Sequence, residues 1–321
     1  MKRFVCLLAL LLLTLTACGE EAPREATLPA QPETVAVDRE ELVDGKTLVI
    51  HAQVEVPDLD SLEEITLVFD EEKLQTMAEE LVLPQYPEVR EQRDNLTGSR
   101  GWNAETEDRL LISLDGTDQG FEAGWVSFLD AARDRNGRGM GQDDWNAFTY
   151  GYMTTHTPTG LTLTGEEAGK AMGDFLLRYS CFSYKPWSLR AQDAAGGGYY
   201  QAFLEPQDNG LPVKGDGPLM VSACLSEEGV FSFQGVLALK EQSRETVEVS
   251  VTLEQALDSF REELPYIPGT TVEVLDIRPG YLARSGYRGQ WRLRPAWLFT
   301  CADHNTLAIP MAGGKPVEVP F

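Results

Sequence analysis

Histidines and cysteines are the residues of this chain best suited to acid–base or nucleophilic work, and their spacing limits what they can do. The histidines are His51, His156 and His304, far apart in sequence. A Ser-His-Asp or Cys-His centre needs a base held beside the nucleophile and oriented by a third group. No Gly-x-Ser-x-Gly elbow accompanies them. Cys301-Ala302-Asp303-His304 sets a thiol and an imidazole three residues apart, which reads as a buried cysteine followed by a turn histidine. Asp134-Arg135-Asn136-Gly137-Arg138-Gly139 opens like a calcium loop, with Asp, Asn and Gly at the first, third and sixth positions. It fails at the fifth, Arg138, and at the twelfth, Trp145, where a bidentate glutamate belongs. Gly196-Gly197-Gly198 precedes no helix, so it has no helix N-terminus with which to cradle phosphate. The expectation is therefore no catalytic residue, no metal and no cofactor. Trp291 and Trp297 stand six apart on candidate strands, hence on one face if the ladder is unbroken. Core packing is one reading of that pair, and an aromatic surface for a partner or ligand is the other.

Cys18 has a different chemistry. The chain opens with Met1-Lys2-Arg3, runs apolar from Phe4 to Leu13, and turns acidic at Glu20-Glu21. That is the layout of a secretory signal, and it is too short to span a bilayer. Leu15-Thr16-Ala17-Cys18 resembles the lipobox of bacterial lipoproteins. The resemblance implies cleavage after Ala17, a diacylglycerol on the Cys18 thiol, and a membrane-anchored protein on the extracytoplasmic face.

The 321 residues carry a net charge of −24, which argues against a nucleic-acid partner, since such binders displace counterions with lysine and arginine. The same charge holds the body away from anionic headgroups. Beyond the leader and Cys18 the cysteines are Cys181, Cys224 and Cys301, whose pairing the sequence leaves open.

These residues must be positioned by the elements around them. Residues 18–45 are rich in Glu, Pro and Ala and read as a disordered acidic tether. A β-rich α+β lobe is expected over 46–160. Its strand candidates are Thr47–Val56, Ile65–Phe69, Leu110–Leu114, Gly124–Phe128 and Asn146–Thr154. Asp70 precedes Leu74, Met77, Ala78, Leu81 and Val82 at helical spacing. Over 161–321 a pattern recurs: Thr164-Gly165-Glu166-Glu167-Ala168 and Thr252-Leu253-Glu254-Gln255-Ala256 are both capping boxes. Ala168, Met172 and Leu176 then match Ala256, Phe260 and Leu264 as apolar stripes. Candidate strands follow each helix: Tyr199–Leu204, Leu219–Leu225 and Val230–Leu239 after the first; Thr271–Ile277, Gln290–Arg294, Ala296–Cys301 and Thr306–Pro310 after the second. Pro295 should mark an edge or a bend.

The run Gly198–Phe203, Asn209-Gly210-Leu211-Pro212-Val213, Leu219–Leu225, Gly229–Phe233 and Leu293-Arg294-Pro295-Ala296-Trp297 resembles the extracytoplasmic YycI/YycH-type proteins and PepSY-like repeats. The whole chain is similar to an uncharacterised family of bacterial lipoproteins with a domain of unknown function. The resemblance implies an α+β fold, with an N-terminal lobe followed by two PepSY-like units, each a helix packed on an antiparallel sheet. It also implies a non-enzymatic protein that binds or modulates another envelope protein. A lipoprotein that binds a small ligand, peptide or cell-wall glycan is the alternative, and an envelope hydrolase the third reading. In one respect the chain departs from the family: a lipid and a tether replace the transmembrane helix of YycI/YycH proteins.

Overall fold

The computed structural model describes residues 33–58, 62–94, 97–107, 109–118, 123–131, 133, 152–193, 197–215, 219–267, 269–286, 289–302 and 305–319. Residues from Glu33 to Phe321 form one compact unit. Residues 1–32, where the signal peptide, Cys18 and most of the tether are expected, lie outside the described residues, as do 134–151 with the calcium-like loop.

The chain begins with strands β1 (Glu33–Val43), β2 (Lys46–Val56) and β3 (Glu63–Phe69). Helix α1 (Glu71–Met77) continues as a π-helical turn, Ala78–Val82, and leads to β4 (Gln92–Arg93), β5 (Ser99–Glu105), β6 (Leu110–Thr117) and β7 (Trp125–Asp130). Helix α2 (Gly165–Leu177) precedes β8 (Ser183–Gln192), β9 (Tyr199–Asp208), β10 (Leu211–Gly215), β11 (Val221–Ser226), β12 (Gly229–Val236) and β13 (Leu239–Thr246). Helix α3 (Leu253–Glu263) precedes β14 (Thr271–Ser285), β15 (Trp291–Cys301), β16 (Thr306–Pro310) and β17 (Val317–Val319).

The strands form two ladders. In the first, every neighbour is antiparallel, in the order β4-β5-β6-β7-β12-β11-β9-β8. The second is built on the long hairpin β14–β15. Strand β2 pairs in parallel with the start of β14, and β1 pairs with β2. On the other side of the hairpin, β16 takes the second half of β15 and β17 pairs with β16. Strand β3 takes the first three residues of β15, and β13 pairs with β3. Strand β10 joins the two ladders, pairing with β9 on one side and with β14 on the other. Pro295 falls where the outer partner of β15 changes from β3 to β16, so its missing N–H interrupts neither pairing.

This architecture corrects the expected fold class. Strands hold 54% of the described residues and helices 16%, so the molecule is mostly β. The two capped helices form as expected. Thr164 and Glu167 exchange hydrogen bonds at α2, as do Thr252 and Gln255 at α3. Both apolar stripes are buried. Yet neither helix packs on a sheet made only of the strands that follow it. Helices α1 and α2 share one core with β5, β6, β7, β9 and β11, while α3 packs on β1, β2, β14, β15 and β16. Strands from either side of residue 160 share ladders, since β7 pairs with β12, β3 with β13, and β2 with β14. Two self-contained PepSY-like units are thereby ruled out. A lone helix on a short meander would leave strand edges open, and here distant strands fill them.

A second correction concerns the tether, of which residues 33–43 are strand β1. The turn Asp44-Gly45, with positive φ at both residues, closes the β1–β2 hairpin in the geometry such two-residue loops require. Val37 faces the α3 core while Asp38 and Glu40 face outward. Arg39 and Glu41 clamp the strand to α3 through Glu254 (2.8 Å) and Arg261 (2.9 Å). Strand β8, which sequence patterning missed, contains Pro186 at a bulge and lies at the end of its ladder.

Candidate anion-binding site

Among the described residues, those singled out for chemistry do not converge. Trp291 and Trp297 lie on one face of β15, as their spacing requires, but they are 1% and 0% exposed. Each indole donates to a backbone carbonyl, Trp291 Nε1 to Ala123 (2.9 Å) and Trp297 Nε1 to Val251 (3.1 Å). The expectation of a partner or ligand surface at these tryptophans is therefore corrected: both are core. His51 meets Asp38 across β1–β2 at 2.6 Å. His156 meets Asp193 at 2.7 Å, ahead of α2. Asp303 and His304 lie outside the described residues. No disulfide joins Cys181, Cys224 and Cys301. Burial pushes the Cys181 thiol up to about 11, so it is protonated and inert at neutral pH. No group of three or more metal-ligating side chains occurs among the described residues.

What the fold does assemble is a basic trough of about 790 Å³ on the outer face of the β14–β15 hairpin. Strand alternation builds it. Tyr281, Ala283, Trp291 and Leu293 face the core. Arg284, Arg292 and Arg294 therefore face out and line the trough, while Leu282 on the same face is buried in a small cluster with Ala296, Leu298, Ala308 and Val319. Register places Arg284 directly opposite Arg292, on the same face. Two like charges opposed across a ladder oppose pairing by up to about 1 kcal/mol. The link between β16 and β17 contributes Lys315 to the same trough, together with Gly313 and Gly314. Both glycines have positive φ, a conformation that turns the link over the hairpin and that other residues adopt at a cost. Pro316 and Val317 supply apolar walls. The volume is within the usual range for small-ligand sites.

The charge in the trough contrasts with the rest of the molecule. Glu205, 3% exposed, is held by Lys214 (2.9 Å) and Arg278 (3.0 Å) where the two ladders meet. Arg244 grips Asp208 with two bonds of 3.0 Å and also reaches Glu63 and Glu241. Buried Arg100 is matched by Glu71 (2.9 Å) and Glu91 (2.5 Å). In the trough Arg294 has Glu64 at 2.9 Å. No described carboxylate is paired with Arg284, Arg292 or Lys315.

Sequence patterning missed this site, although its signal was present as a local reversal of charge. Between residues 278 and 317 stand Arg278, Arg284, Arg288, Arg292, Arg294 and Lys315, against Asp303 as the one carboxylate. Whole-chain charge hides that stretch.

Among the described residues no helix is long and apolar enough to cross a membrane. No protein-family model matches the chain. No curated protein sequence matches it. Among solved structures, the fold is similar to the crystal structure of an uncharacterized protein from Eubacterium rectale ATCC 33656, with a TM-score of 0.50 and 12% identity over 90% of each chain. At that identity the likeness is one of fold.

Proposed function

We propose that this protein is a lipid-anchored extracytoplasmic binding protein, non-enzymatic, whose trough receives an anionic component of the cell envelope. The observation that carries the reading is the Arg284–Arg292–Lys315 cluster: unpaired cations around apolar walls, on a chain of net charge −24. Opposed cations that weaken their own hairpin are accounted for when an anion bridges them. Lipid on Cys18 accounts for attachment, because two acyl chains hold where one is marginal. Binding without turnover is supported by the separate placement of His51 and His156, each held by its own carboxylate.

Fractionation of cells tests the reading. Replacing Cys18→Ala should move the protein from membranes to the soluble fraction. The released protein should then be retained on washed cell envelopes, and Arg284→Glu with Arg292→Glu should abolish that retention. Membrane attachment of the Cys18→Ala form in high salt would refute the anchor. Equal retention with and without the charge reversals would refute the trough.

A further inference from the structure

We infer that the ligand class of the trough is a phosphate ester, held by Arg284 and Arg292 through its phosphate and by the apolar walls through its organic body. The inference rests on the anion-binding reading above and narrows it. A carboxylate is satisfied by one guanidinium fork, which donates to both of its oxygens. Register gives this site two forks, directly opposed on adjacent strands, and Lys315 lines the same trough. A phosphate monoester has three non-bridging oxygens and accepts from both forks and from Lys315 at once, a geometry that suits arginine in particular. Arg294 is engaged by Glu64, so the recognition set is Arg284, Arg292 and Lys315. Pro316 and Val317, both half-buried, line the same trough and have nothing to offer an inorganic ion. They offer contact area to the carbon skeleton of an ester. No covalent step is involved.

The same chemistry occurs in a phospholipid headgroup and in a free or polymeric phosphate ester, and the experiment separates them. The mature chain in its Cys18→Ala form is titrated calorimetrically, at low salt, with sn-glycerol 3-phosphate, inorganic phosphate and citrate. The ester should bind at least tenfold more tightly than citrate and more tightly than inorganic phosphate. Arg284→Gln or Arg292→Gln should weaken the ester at least tenfold while leaving the unliganded melting temperature unchanged or higher, because each relieves the opposed pair. That second reading separates loss of a ligand contact from loss of fold. Co-sedimentation with phosphatidylglycerol but not phosphatidylcholine vesicles would assign the headgroup as the source. Binding of soluble glycerol phosphate polymer without vesicle binding would assign the free ester. Citrate binding as tightly as the ester would overturn the inference and leave the anion-binding reading standing. Binding of none of the three, together with no retention on envelopes, would overturn both.

Discussion

Trp291 and Arg292 are neighbours in sequence and face opposite sides of β15, and that one alternation separates core from trough. The tryptophan spacing was legible, because period two is a property of any strand. Which face meets the core was not, since that depends on what packs against β15. Histidine shows the same division at residue scale. The sequence places His156 in a link, and only the folded chain brings it to Asp193, thirty-seven residues on. Asp193 accepts from the Thr159 amide at 2.7 Å and from the His156 ring, and these bonds lower its carboxyl to about 2. A depressed carboxyl stabilises the fold above its unfolded value, near 4, and that contribution is lost as pH falls through the folded value. The melting temperature of the wild-type chain should therefore exceed that of Asp193→Asn by a constant amount above about pH 5. The gap should close between about pH 4 and pH 2, and a gap independent of pH would show that the bonds do not favour the charged form.

At the scale of elements, helix starts were the most legible feature, because a cap is contained in four consecutive residues. Thr164 accepts from the Glu167 amide at 3.3 Å and Glu167 returns the bond to the Thr164 amide at 2.8 Å. Thr252 and Gln255 do the same at 3.4 and 2.8 Å. Thr164→Ala and Thr252→Ala should each cost about 1 kcal/mol in urea unfolding, with the denaturant slope unchanged. A loss near zero at either would mean that packing alone holds the helix start. Strands were less legible. Strand β1 is masked by the proline-rich composition before it, although Asp44-Gly45 is a hairpin signal. Strand β8 is masked by Pro186, which an end strand tolerates at a bulge. In helix α2 a Cβ on Gly169 would lie 2.5 Å from Pro186 Cγ, so that glycine sets how closely the helix approaches β8.

At the scale of the whole molecule, the ion cluster where the ladders meet and the trough make opposite predictions. Glu205 is enclosed by Lys214 and Arg278, whose carrying strands β10 and β14 belong to the second ladder while Glu205 lies on β9 of the first. Removing one partner of a buried set leaves the others uncompensated. Glu205→Gln should destabilise by about 3–5 kcal/mol, a loss that calorimetric or urea unfolding will register as one cooperative transition moved downward. The trough arginines are exposed, and their loss should leave stability intact while removing ligand. Two transitions in the Glu205→Gln chain would instead mean that the ladders unfold independently.

The sequence by itself determined the features written in consecutive residues: both capping boxes, the apolar stripes, the Asn209-Gly210 turn and the charge reversal after residue 278. Tertiary structure decided which strands pair, and so overturned the reading of two helix-on-sheet units. A capping box or a stripe needs only neighbours a few positions away, whereas a strand edge is satisfied by any partner with matching register, near or far in the chain. The trough depends on the second kind of information. Arg284 and Arg292 become opposed only when β14 and β15 close in register, and Lys315 lines the same trough only after β16 has joined the sheet.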